Sequence, residues 1–169
     1  SIVAYAANQA FFNLEPMLAV PDMSIELRPL IPFLIFAGVL SALTSVAYMA
    51  AIRKGRELAS RSQWSMPQLL VSCVVVVGSI SVVVPDVAGL GLTQINEMID
   101  AKFGLVMLFV LLAGKIFVTA YCLNAGFFGG VFGPALFVGA ATGAIVANAA
   151  IVAGLAPHLS YALPIAAIA

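Results

Sequence analysis

Residues 126–134 read GFFGGVFGP, with Gly126, Gly129, Gly130, Gly133 and Pro134 lying between two strongly apolar stretches. Inside a helix, glycine costs about 1 kcal/mol relative to alanine and proline about 3 kcal/mol. The stretch therefore interrupts helical structure. Phe103–Leu123 precedes it with Lys115 as its one charge, and the uncharged run 131–155 follows. No charged loop separates the two.

Composition sets the medium in which this break has to exist. The chain has 169 residues, 63% of them hydrophobic and 8% charged, with a mean hydropathy of +1.15. Soluble domains carry about 25% charged residues. Seven basic and seven acidic side chains are too few to cover a water-soluble globule of this size, which makes this an integral membrane protein. Zero net charge argues against a nucleic-acid partner, which would require a basic face. Cys73 and Cys122 both lie in apolar stretches, where cysteine acts as a small hydrophobe, so neither a disulfide nor a metal site is read from them.

Working outward, the hydropathy pattern predicts spans over 30–52, 66–84, 103–123 and 131–155. A short apolar segment lies at 2–12, and another begins at 159–169. The connection at 13–29 carries Glu15, Asp22, Glu26 and Arg28 with three prolines. The one at 53–65 holds Arg53, Lys54, Arg56 and Arg61 against Glu57. An excess of basic residues marks a cytoplasmic loop, so 53–65 is expected in the cytoplasm and 13–29 on the opposite side, with a bacterial inner membrane as the expected location. The valine run VSCVVVVGSISVVV suggests a strand, but open strands leave backbone groups unpaired in lipid, and a helix is expected. Both ends resemble cuts inside helices. The expectation is thus one partial transmembrane domain over 1–169, truncated at both ends.

The residues leave two readings of the glycine stretch open. Irregular backbone at membrane depth survives only when buried in protein or lining a cavity. If a helix starts near Val131, its first amides lack intrahelical partners and lie at the positive end of the helix dipole. Pro134 fits the first turn, where its missing N–H costs nothing. Such a start suits an anion. The other reading is a tight turn between ordinary spans. Downstream, Ala135, Gly139, Gly143 and Ala147 form a small-residue stripe, a surface for close helix approach.

At these residues the chain resembles the CLC family of chloride channels and proton-coupled chloride transporters. GGVFGP at 129–134 looks like that family's GGxFxP element, with AGKIFVTAYCLNAG before it and ALFVGAATGA after it. Pro85, Gly89 and Gly91, in a P-x-x-x-G-x-G pattern, fit as a weaker landmark. The resemblance implies an all-α, multi-span bundle of tilted and broken helices, part of an inverted-repeat fold that works as a homodimer. This chain would supply the last helix of the first half and much of the second. The resemblance also implies that the backbone amides of Val131 and Phe132 bind the central chloride, while Gly129, Gly130, Gly133 and Pro134 shape the helix start. The family's serine-bearing, gating-glutamate and tyrosine elements are not found in this sequence, and Tyr5, Tyr48, Tyr121 and Tyr161 match none of them. The intact protein would conduct or exchange chloride; the 169 residues alone would transport nothing.

Lys115, an ionisable residue within a span, is a candidate pathway charge. It could instead snorkel toward a cytoplasmic interface or pair with a carboxylate outside these residues. His158 reads as a cap or surface residue, and Asp86, Glu97 and Asp100 as solvated. No nucleophile–base pair or placed carboxylate dyad is legible, so no enzyme, cofactor or metal is expected. The alternatives are a secondary transporter of another fold and a structural membrane subunit with no ion site.

Overall fold

A computed structural model describes residues 27–152 apart from Phe128, with side chains from Ile31 onward. The segments expected at 2–12 and 159–169, most of 13–29, and Tyr5, His158 and Tyr161 lie outside the described residues. The first helix, α1, spans Leu27–Arg61. At 35 residues and 1.5 Å per residue it is about 52 Å long. It starts inside the expected 13–29 connection and runs through most of the expected 53–65 loop. Pro29 falls in its first turn, where proline is tolerated. In RKGRELASR, the Arg, Lys, Glu, Leu and Ala residues are good helix formers, and Gly55 alone does not stop the helix. The loop thus shrinks to Ser62–Ser65.

Helix α2, Met66–Val83, begins where the Ser65 amide donates to Gln68 Oε1 at 2.9 Å, one arm of a capping box. The valine run is helical here. Its serine hydroxyls are satisfied within the helix: Ser72 donates to Leu69 O at 2.8 Å, Ser79 to Val75 O at 2.7 Å and Ser81 to Val77 O at 2.8 Å. A 3-10 turn at Pro85–Val87 leads to the short α3, Leu92–Ile99, which buries Ile95, Met98 and Ile99. Helices α4, Leu105–Asn124, and α5, Phe132–Val152, complete the described chain. No strand occurs among the described residues.

Helix α5 is the centre of the bundle and packs against α1, α3 and α4. Sixty-one per cent of its most apolar window is buried, against 33% for α4 and 6% for α2. A helix that is apolar on every side belongs in such a place. Gly139, Gly143 and Ala147 of the small-residue stripe are buried; Ala135 is exposed. Along the α1–α5 contact, Thr44 Oγ1 lies 3.1 Å from Thr142 Oγ1, and Ala37 clusters with Val146, Ala147 and Ala150. Residue numbers fall along α5 as they rise along α1, so the two helices are antiparallel. The four helices Ile31–Arg61, Met66–Val83, Leu105–Asn124 and Phe132–Val152 are long and apolar enough to cross a bilayer. This is an all-helical integral membrane protein.

Candidate anion site

The glycine stretch is a complete break between α4 and α5. Helix α4 ends at Asn124, whose Nδ2 donates to Ile52 O at 3.0 Å and to Ala120 O at 2.6 Å. This ties the end of α4 to α1, level with the last uncharged residue before Arg53. The chain then turns at Gly126, with φ +95°, while the Phe127 amide donates to Cys122 O at 3.1 Å. That is the six-to-one bond of a Schellman cap, whose C′ position glycine fills without strain.

Helix α5 opens at Phe132, and its first new bond runs from the Ala135 amide to Val131 O at 3.1 Å. Pro134 has no N–H, so the orphan donors of this terminus are the amides of Val131, Phe132 and Gly133. Among the described residues, no backbone carbonyl accepts from Val131 or Phe132. Both side chains are exposed. Among the described residues, a Cβ at Gly129 or Gly130 would meet nothing within 4 Å. Gly133 differs: a Cβ there would lie 3.3 Å from Leu90 Cδ2. The loop after the 3-10 turn rests against the first turn of α5.

Lys115 explains why that loop is where it is. Its side chain is 2% exposed. Nζ donates to Val87 O at 3.1 Å and to Gly89 O at 2.6 Å, and sits 4.8 Å from the centroid of the Phe137 ring. The expectation that Lys115 snorkels outward is not met, because its side chain is buried among the described residues. Two carbonyls and an aromatic face take the ammonium's donors instead. Gly91, with φ +78°, has the Phe137 ring where a Cβ would project. The P-x-x-x-G-x-G loop is therefore a cradle for Lys115, closed by Phe137 one and a half turns into α5. Lys115 does not touch Val131 or Phe132; it holds the loop that packs on their helix. The sequence displayed both the lysine and the loop, and only their meeting in space was missing.

Asp86 and Glu97 are half-buried and Asp100 exposed, and Asp86 Oδ1 accepts from Gln94 Nε2 at 3.2 Å. Cys73 and Cys122 are free thiols, yet their Sγ atoms lie 3.6 Å apart where α2 meets α4. No group of three or more His, Cys, Asp or Glu residues placed to hold a metal occurs among the described residues.

The four long apolar helices, broken between α4 and α5, define a polytopic membrane protein. The family model described as voltage gated chloride channel matches residues 1–169, and the chain belongs to that family. Similar proteins include the uncharacterized protein MJ0305 of Methanocaldococcus jannaschii, 39% identical over 71 residues, covering 42% of this chain and 18% of that protein. The chloride channel protein CLC-f of Arabidopsis thaliana is 22% identical over 160 residues, covering 89% of this chain and 20% of its own length. The chloride channel protein CLC-e of the same plant is 24% identical over 152 residues, covering 85% and 21%. The chain spans about a fifth of the length of these relatives.

Proposed function

We propose that this chain supplies the start of an anion-binding helix to a chloride-conducting membrane protein. Val131 and Phe132 donate their backbone N–H groups to the ion, and Gly129, Gly130, Gly133 and Pro134 give it room and fix the helix start. The supporting observation is that, among the described residues, no backbone carbonyl accepts from the 131 and 132 amides at the head of a 21-residue helix. An anion there gains both hydrogen bonds and the favourable end of the dipole. Asn124 shares the level of Ile52, so the site faces the cytoplasmic end of the apolar slab. Arg53, Lys54, Arg56 and Arg61 just beyond it raise the local anion concentration. Lys115 serves from behind, as a tie on the loop at residues 85–91 and as a positive charge deeper in the bundle. No cofactor takes part; the intact protein works as a homodimer in a bacterial inner membrane, with one path in each subunit.

Bromide soaked into crystals of the full-length protein tests the site. Anomalous density within hydrogen-bond reach of the 131 and 132 amides is expected. Its absence there, with bromide bound elsewhere in the path, refutes the assignment. Flux assays with chloride, fluoride, nitrate and amino acids separate a chloride path from a transporter of other substrates.

A further inference from the structure

The basic end of α1 borders a cavity whose lining does not include Val131 or Phe132. It measures about 440 Å³, within the range of small-molecule pockets. Its walls come from the last turns of α1, the start of α2 and the end of α4. Leu58, Trp64, Leu69, Phe117 and Tyr121 supply an apolar lining, and Lys54 is the charged residue in it. The Phe117 and Tyr121 rings stack with centroids 5.8 Å apart and planes at 11°, making one aromatic wall. No carboxylate of the described residues lines the cavity.

The surroundings indicate the occupant. The cavity begins at Ala51, where the uncharged run of α1 ends, which is the level of the membrane edge. Trp64, the one tryptophan in the chain, is 54% exposed at its mouth, and tryptophan favours the headgroup level. Arg53, Lys54, Arg56 and Arg61 are exposed and form no ion pair among the described residues. An apolar hole with a cationic rim at that level complements an acyl chain joined to a negative headgroup, and clustered basic residues beside a span attract anionic lipid.

We propose that this cavity binds an anionic phospholipid, with the headgroup phosphate on Lys54 and an acyl chain against Phe117 and Tyr121. The cavity also touches Asn124 and Ala125, which immediately precede the turn at Gly126. Bound lipid thus braces the end of α4 from which the glycine break departs.

Brominated lipids quench nearby tryptophan and supply the test. The full-length protein is reconstituted in phosphatidylcholine vesicles containing either brominated phosphatidylglycerol or the same fraction of brominated phosphatidylcholine. A Trp64→Phe variant supplies the background from other tryptophans. Trp64 is expected to be quenched by the anionic lipid at about fivefold lower mole fraction than by the zwitterionic one, the contribution of one lysine near the surface. Lys54→Gln, a change at an exposed position, should weaken that preference while leaving quenching by both lipids. Equal quenching by both lipids in the unaltered protein overturns the proposal. So does a preference that Lys54→Gln leaves unchanged. Trp64 quenched by neither lipid overturns it as well, because protein would then fill the cavity. Chloride flux plays no part in these readouts, so the anion site can fail while the lipid site stands.

Discussion

Replacing Phe132 by proline removes one amide from the head of α5 while keeping the helix. Phe132 is its first helical residue, the position where proline is favoured and its φ is already suitable. The residue before proline is pushed to extended backbone, and Val131 is the capping residue, where that conformation is usual. The Phe132 side chain is 76% exposed among the described residues, so its loss costs little packing there. Phe132→Ala is the matched control: it removes the same ring but keeps the N–H. A hydrogen bond to a charged partner contributes about 1.5–3 kcal/mol. Phe132→Pro should therefore bind bromide roughly 10- to 150-fold more weakly than Phe132→Ala. Calorimetric titration of both full-length variants measures this, with circular dichroism showing equal helicity. Equal affinity in the two variants would refute the claim that this amide is a chloride donor.

Much of the fold is legible in the sequence because the membrane leaves so few choices. The valines of α2 could not be a strand once lipid was the solvent. Glycine and proline at 126–134 had to end one helix and begin another. Two features escaped for different reasons. The reach of α1 to Arg61 was hidden because charge was read as loop, although a charged helix can project past the bilayer. The partners of Lys115 lie 28 and 26 residues earlier in the chain, and the two thiols are 49 apart. Neither contact follows from any periodicity; both come from how α4 crosses its neighbours. The helix start itself was readable. Its support by Lys115 through Val87, Gly89 and Leu90 was not.

That support makes Lys115→Met costly, because it leaves the buried carbonyl of Val87 without a donor and frees that of the more exposed Gly89. A loss of about 1–3 kcal/mol should appear in the denaturation midpoint of the full-length protein; an unchanged midpoint would show that the cradle is dispensable. Gly91→Ala forces a positive φ on alanine and drives its methyl into Phe137. It should destabilise by at least about 1–3 kcal/mol, and wild-type stability would contradict the loop geometry. Tyr48 is 5% exposed and its hydroxyl finds no partner among the described residues. Tyr48→Phe should thus be neutral or stabilise by about 1 kcal/mol, and clear destabilisation would reveal an acceptor elsewhere in the protein. Gly130→Ala separates the two meanings of the glycine stretch. Gly130 does not have the positive φ of Gly126, and a Cβ there meets nothing within 4 Å, so folding should change by less than about 0.5 kcal/mol. If the glycine is there to let an ion reach the 131 and 132 amides, bromide affinity falls although stability does not. A variant that binds bromide normally would leave Gly130 as turn material alone.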